Sequence, residues 1–106
     1  MINNKVYGLL GLATKAGKII FGTESCLDMI YKKKVKLIIV AEDSTERTIN
    51  NFKEKCIQNN IDFYVFGNKD DISQAIGKTN KTVVGIKDKN LAGAIKKILN
   101  GGDVIG

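Results

Sequence analysis

The stretch that decides the fold is residues 17–43, which read GKIIFGTESCLDMIYKKKVKLIIVAED. A short apolar run, Ile19–Phe21, is followed by a glycine, by small polar and acidic residues, and then by apolar residues at helical spacing. The next apolar run, Lys36–Ala41, has the composition of a strand that is buried on both faces. The stretch therefore predicts a strand, a helix capped by Thr23, and a second strand in the interior.

Outward from this stretch, helix and strand patterns continue to alternate. Apolar spacing predicts four more helices: Lys5–Thr14, a helix from a Ser44 cap to Asn59-Asn60, Asp70–Ile76, and a helix from a cap at Asp88 or Asn90 to Leu99. It also predicts two more strands, Ile61–Phe66 and Thr82–Ile86. Such alternation predicts an α/β protein, a single three-layer α/β/α sandwich domain with a mainly parallel sheet. Residues 1–3 and 100–106 are expected to be loose termini of this domain.

Charge is distributed unevenly along the 106 residues, whose formal net charge is +6. Residues 1–36 carry a net charge of +5, residues 37–77 of −3 and residues 78–106 of +4. If the two ends of the chain meet in space, one side of the protein is strongly basic. A basic side of this kind is typical of nucleic-acid binding, although a lysine-rich solubilising surface has the same composition.

Several functional classes have no support in the sequence. The apolar runs are too short to cross a bilayer and no secretion signal is visible, so a cytoplasmic protein is expected. Cys26 and Cys56 form neither a zinc pattern nor a disulfide framework; both are expected to be buried or half-buried thiols, and no metal or cofactor is predicted. Without histidine, the commonest general base is missing, and Thr23 stands where a P-loop would need its lysine, so no enzyme is predicted.

A candidate binding site lies at the start of the second helix. Residues 22–25, Gly-Thr-Glu-Ser, would place unpaired backbone N–H groups at a helix N-terminus, where the helix dipole favours an anion. Lys15 and Lys18 lie just upstream. In a basic chain, the anion expected at this site is the phosphate backbone of a nucleic acid.

Five pieces of the sequence carry a family resemblance: GLATKAGK at 11–18, GTE at 22–24, LIIVAEDS at 37–44, ISQAIG at 72–77 and VVGIKD at 83–88. In this order and spacing, from about Val6 to Leu99, the chain resembles the kink-turn-binding ribosomal protein superfamily of the L-seven-Ae type, and within it a small bacterial, YlxQ-like branch. The resemblance implies a four-stranded mixed sheet between helices. It also implies a protein that binds structured RNA, either ribosomal RNA or a kink-turn, in association with the ribosome or other RNA-bound proteins. A monomer is expected, because no predicted helix has a spare apolar face.

The resemblance further implies where RNA would bind: at the turn before helix two and its first residues, supported by the loop after Ala41 and by the loop between Gly77 and Val83. Members of the superfamily read sheared G·A pairs with the motif Gly-x-Asn-Glu-x-x-Lys. Its positions fall here on Gly22, Glu24, Ser25 and Asp28, so only the glycine is kept. The lost amide and the reversed charge predict weaker kink-turn binding.

Specific roles follow for the remaining residues of this face. Phosphate contacts are predicted for Lys15, Lys18, Lys78 and Lys81. Thr23 and Ser25 are predicted to form hydrogen bonds with bases or sugars, and Ile76 with Gly77 to pack against an extruded nucleotide.

Two interpretations stay open. The first is a small non-catalytic RNA-binding protein. The second is a protein-interaction module that keeps the fold but has lost the RNA-reading residues, as Glu24 and Asp28 suggest. The lysine run 32–34 is interpreted as the end of helix two, where positive charge is favoured by the dipole, rather than as a binding patch.

Overall fold

The computed structural model describes residues 2–101, with side chains from Lys5 onward. In this part of the chain the elements are α1 (Ile2–Lys15), β1 (Ile19–Phe21), α2 (Thr23–Tyr31), β2 (Leu37–Val40), α3 (Glu46–Gln58), β3 (Asp62–Val65), α4 (Lys69–Ala75), β4 (Val83–Ile86) and α5 (Lys89–Leu99). The predicted order of helices and strands is confirmed, and the largest shift is the start of α1, three residues earlier than predicted.

The four strands form one sheet in the order β1-β4-β2-β3. The mixed sheet is confirmed, but the expectation of a mainly parallel sheet is wrong. Only β2 and β3 are parallel within the described chain, whereas β4 is antiparallel to both β1 and β2. Alternation of strands and helices fixes the order of elements but does not fix which strands are neighbours. Here the one strand that runs in the opposite direction lies between two others, so it makes two of the three pairings antiparallel.

These directions give the sheet two chemically different ends. The end where β1, β2 and β3 finish and β4 starts is called the upper end; it lies at Phe21, Val40, Val65 and Val83. We call lower end the opposite one, at Ile19, Leu37, Asp62 and Ile86. The loops at the upper end carry the candidate site.

Two hydrophobic clusters cover the two faces of the sheet. Helices α1, α4 and α5 pack on one face, where they meet Leu37 and Ile39 of β2. Helices α2 and α3 pack on the other face, against Ile38 and Val40. Since successive side chains of a strand point to opposite faces, β2 is buried on both, and the three-layer α/β/α sandwich is confirmed.

Two of the predicted helix caps are wrong by one residue. Helix α2 is capped by the backbone of Gly22, and Thr23 is its first residue. Helix α3 is capped by Thr45, whose Oγ1 accepts a hydrogen bond from the Thr48 N–H at 3.1 Å. Ser44 cannot take that role, because its Oγ is buried without a hydrogen-bond partner. For α5, Asp88 is the cap and accepts from the Leu91 N–H at 2.8 Å.

The two basic ends of the chain meet in space, because β1 pairs with β4 and α1 packs against α5. This is the condition under which the charge pattern predicts a basic side. Of the expected loose termini, Ile2 and Asn3 lie in α1 and Asn100 is the C-cap of α5, whereas residues 1 and 102–106 lie outside the described part. Among the helices of residues 2–101, none is long and apolar enough to cross a membrane.

Candidate nucleic-acid interface

The turn that starts α2 depends on Gly22. Its backbone has φ 91° and ψ 152°, a conformation that is essentially restricted to glycine. A Cβ atom added there would meet nothing within 4 Å, so the requirement for glycine comes from the backbone and not from crowding. The Gly22 N–H donates to the carbonyl of Val83 at 3.0 Å, which fixes the start of α2 at the upper end of the sheet.

The first turn of α2 is open to solvent. Thr23, Glu24 and Ser25 are all exposed, and no side chain caps the helix. The first N–H groups of a helix have no intrahelical acceptor, so this turn offers donors to an anion, together with two hydroxyl groups. The carboxylate of Glu24 lies in the same turn and reduces the positive potential there.

Two of the predicted phosphate-binding lysines lie against Phe21, directly before the start of α2. The Nζ atoms of Lys78 and Lys81 lie 5.2 and 5.3 Å from the centre of its half-buried ring, within cation–π distance. The structure therefore brings Lys78 and Lys81 beside Gly22 and the first turn of α2. Sequence reasoning missed the role of Phe21; its signal was an aromatic residue at a strand end directly before a glycine turn.

Ser73 fixes the loop that carries these lysines. Its buried Oγ accepts from the Lys81 N–H at 2.8 Å and donates to the Lys81 carbonyl at 3.1 Å. The Ser73 carbonyl also accepts from the Lys78 N–H at 2.8 Å. The sequence analysis missed this residue as well, although a serine directly after buried Ile72 in a helical pattern marks a polar group that needs a partner.

The loop after Ala41 lies at the same end, as the resemblance implied. The Ala41 N–H donates to the Thr82 carbonyl at 2.8 Å, and the Asp43 carboxylate accepts from the Lys69 N–H at 2.9 Å. Glu42 and Asp43 are exposed and add negative charge to the upper end. The loops of the expected interface are thus together, but their charge is mixed.

The role predicted for Ile76 needs correction. Its side chain is only 2% exposed and packs in the cluster below α1, α4 and α5, so it is not available to a nucleotide. It ends α4 as the C-cap residue and anchors the loop from inside. Gly77, by contrast, is exposed with φ 72° and opens the loop toward Lys78.

Lys15 and Lys18 are not part of this cluster. Lys15 ends α1, and Lys18 precedes β1 at the lower end, where its carbonyl accepts from the Lys87 N–H at 2.8 Å. Lys18 and Gly22 are separated by a strand, a distance of roughly 13 Å. The structure therefore divides the predicted phosphate-binding lysines between the two ends of the sheet.

Asp28, at the lysine position of the motif, forms an ion pair within α2. Its carboxylate is 3.0 Å from the Lys32 Nζ, one helical turn later, and both side chains are about half exposed. A solvent-exposed pair of this spacing contributes little to stability, about 0.3–0.5 kcal/mol. Lys32 is the C-cap residue of α2, in agreement with the interpretation of the lysine run as a helix end.

The two cysteines are confirmed as buried free thiols. Burial, with a smaller contribution from the neighbouring Cys56 thiol, raises the pKa of Cys26 to about 12. Burial likewise raises the pKa of Cys56 to about 12, with a contribution from the charge of Asp62. Burial thus outweighs the position of Cys26 in the first turns of α2, and neither thiol has the lowered pKa of a nucleophile. Within the described residues, no cluster of ligands could hold a metal ion.

Comparison with known proteins decides the family. A family model described as the ribosomal protein L7Ae/L30e/S12e/Gadd45 family matches residues 4–95. The chain belongs to this family. RNA-binding protein YlxQ of Enterococcus faecium is 35% identical over 97 residues, covering 92% of this chain and 93% of that protein. RNA-binding protein YlxQ of Bacillus subtilis is 26% identical over 94 residues, covering 89% and 94%.

Two solved structures of the same fold were compared. A protein of unknown function from Bacillus halodurans superposes with a TM-score of 0.88 at 29% identity, covering 91% of this chain and 97% of that chain. The 15.5 kD RNA-binding protein of Giardia lamblia superposes with a TM-score of 0.81 at 16% identity, covering 99% and 90%. At that low identity, the second comparison supports the fold alone.

Proposed function

We propose that the chain is a small non-catalytic RNA-binding protein, a monomer that binds structured RNA through the upper end of its sheet. Membership of the L7Ae/L30e/S12e/Gadd45 family and two relatives named as RNA-binding proteins support this function. The RNA is a ribosomal or a regulatory transcript with a kink-turn or a related fold, and the protein acts in association with the ribosome.

One observation carries the assignment to the upper end. The solvent-open first turn of α2 lies directly beside Lys78 and Lys81, which are held over the Phe21 ring. Unpaired N–H donors and two ammonium groups are thus present at the same end of the sheet. A phosphate bound there would receive charge-assisted hydrogen bonds from both sources.

The other groups of this end suit RNA with unpaired bases. The hydroxyls of Thr23 and Ser25 can donate to or accept from bases and 2′-hydroxyls, and the half-exposed Phe21 ring offers an aromatic surface. Glu24 accepts hydrogen bonds only when ionised, so it can bind base amino groups but repels phosphate. A structured RNA that presents an amino-rich base edge here is favoured over a plain duplex.

Equilibrium binding to a kink-turn RNA across a salt series tests this function. We expect the double variant Lys78→Gln with Lys81→Gln to bind about 10-fold more weakly and to lower the log–log salt slope by about two units, one per lost phosphate contact. The matched control is Lys53→Gln with Lys97→Gln, which removes the same charge from exposed positions on α3 and α5.

Three results would count against the proposal in different ways. If both double variants lower affinity equally, the effect is one of net charge and the upper end is not the contact surface. If wild-type protein prefers an unstructured strand of equal length, recognition of structured RNA is wrong. If it binds no RNA at 0.1 M salt, the exposed acids Glu24 and Asp28 favour the protein-interaction module instead.

A further inference from the structure

Three lysines form a row across the lower end of the sheet. The β-ladder register places Ile86 opposite both Ile19 and Leu37. One residue further, Lys87 therefore lies between Lys18 and Lys36, and two backbone hydrogen bonds of 2.8 Å fix this placement, from the Lys87 N–H to Lys18 and from the Lys36 N–H to Ile86. With neighbouring strands about 4.8 Å apart, the three backbone positions lie within about 10 Å.

The row is electrostatically unfavourable in the free protein. Like charges directly opposite each other in a sheet destabilise it, and Lys87 faces such a neighbour on both sides. Within residues 5–101, none of the three makes a salt bridge. An anion bound across the row would remove this repulsion.

Helix dipoles do not account for these three positions. Lys15 and the run 32–34 lie at the C-terminal ends of α1 and α2, where positive charge is favoured. Lys18, Lys36 and Lys87, by contrast, lie at the ends of strands, which have little net dipole. Their clustering therefore needs a different explanation from that of the lysine run.

The surroundings add positive potential rather than neutralise it. Helix α5 starts at this end with Lys89, and an open groove beside the row is lined by Lys36, by Lys89 and by the ion pair of Lys96 with Asp62. The Asp62 carboxylate in this groove lies 3.2 Å from the Lys96 Nζ. The next acid, Asp88, is occupied in capping α5.

We propose that the lower end is a second RNA-binding surface, which holds the phosphate backbone of a duplex segment. A lysine ammonium group acts as a point charge and, unlike the planar guanidinium of arginine, does not offer paired hydrogen bonds to a base edge. This surface therefore binds independently of sequence. The inference rests on the proposed function for the identity of the polyanion as RNA. The upper end then selects the fold of the RNA, while the lower end supplies much of the salt-sensitive affinity.

The test uses a plain RNA duplex of about 20 base pairs without a kink, which presents an A-form phosphate backbone and no unpaired bases. We expect the full chain to bind it with a salt slope that falls by about two units in the double variant Lys18→Gln with Lys36→Gln. Affinity at 50 mM salt should fall about 10-fold or more. The control Lys53→Gln with Lys97→Gln, of equal charge, should change the slope by less than about half a unit.

Other results overturn the proposal without touching the proposed function. Equal losses in the two double variants would mean a diffuse charge effect, and no binding of the wild type to the duplex would mean that the lower end does not hold RNA. Retention on vesicles of anionic phospholipid, lost in Lys18→Gln with Lys36→Gln while duplex binding is unchanged, would assign the row to a membrane surface. Failure of the upper end would appear separately, as a kink-turn affinity unaffected by Lys78→Gln with Lys81→Gln.

Discussion

The two ends of the sheet differ in charge. At the upper end three helices start, and the loops and first turns there carry more acids than bases, namely Glu24, Glu42, Asp43, Glu46, Asp70 and Asp71 against Arg47, Lys69, Lys78 and Lys81. At the lower end, lysines face one another across neighbouring strands. The upper end therefore contributes no net positive charge, and the lysine row of the lower end supplies part of the basic excess.

This difference separates two tasks that a nucleic-acid-binding protein performs. Hydrogen-bond donors in fixed positions discriminate among RNA shapes, and the upper end has them at the start of α2 and in the loop held by Ser73. Lysine clusters raise affinity for any phosphate backbone, and the lower end offers such a cluster. The following predictions alter one end and leave the other as an internal control.

The largest expected effect comes from rebuilding the family motif at the upper end. The triple variant Glu24→Asn, Ser25→Glu and Asp28→Lys places the motif residues on an exposed helix turn. Two new charge-assisted contacts, together about 3 kcal/mol, should raise kink-turn affinity about 100-fold. Affinity for a plain duplex, which we assign to the lower end, should change by less than about threefold.

A single substitution controls for charge in that experiment. The triple variant raises the net charge by two, and so does Glu54→Lys at an exposed position on the outer side of α3. If Glu54→Lys improves kink-turn binding as much, the gain is electrostatic attraction at long range. If neither variant improves it, the start of α2 does not contact the RNA.

Next in size is the loss of the glycine at the start of α2. Gly22→Ala forces a Cβ into a backbone conformation, φ 91° and ψ 152°, that other residues rarely adopt. We expect a loss of about 1–3 kcal/mol in the free energy of unfolding, measured by urea denaturation. Kink-turn binding should weaken as the first turn of α2 shifts, whereas duplex binding at the lower end should persist.

Gly8→Ala is the matched control, because Gly8 also has open space around it but lies within α1 without a positive φ. Alanine is the better helix former by about 1 kcal/mol, so this variant should be more stable than the wild type. Similar losses in both variants would show that the Gly22 backbone is not strained by a side chain.

The sequence predicted the elements well and the site unevenly, for physical reasons. Periodicity marks which residues are buried, so β2 and the helices were found. Strand neighbours depend on long-range packing, so the insertion of β4 between β1 and β2 could not be predicted from local patterns. That insertion decides which loops meet, and it places Lys18 beside Lys87.

The residues that sequence reasoning missed act through contacts between distant parts of the chain. Phe21 matters because Lys78 and Lys81 lie over its ring, and such contacts leave no spacing pattern in the sequence. Ile76 was predicted, from the family resemblance, to pack against a nucleotide together with Gly77, yet as the C-cap residue of α4 it packs into the core. Adjacency along the chain was a poor guide to exposure at this turn.

The smallest of these effects concerns Ser73, which fixes the lysine loop of the upper end. Ser73→Ala removes two hydrogen bonds and leaves the Lys81 N–H and carbonyl without their partner. An expected cost of about 1 kcal/mol should appear in urea denaturation, together with faster hydrogen exchange at the Lys81 amide. Kink-turn affinity should fall a few-fold because Lys78 and Lys81 lose their fixed backbone, while duplex affinity should not change.

Ser44→Ala provides the comparison at the same end of the sheet. The Ser44 Oγ is buried without a hydrogen-bond partner, so its removal should be neutral or slightly stabilising. The two serine variants delete the same atom, and only one of them deletes hydrogen bonds. If they lose the same stability, the contact between Ser73 and Lys81 does not hold the loop. If Ser73→Ala is less stable but binds the kink-turn like the wild type, a rigid loop is not needed for recognition.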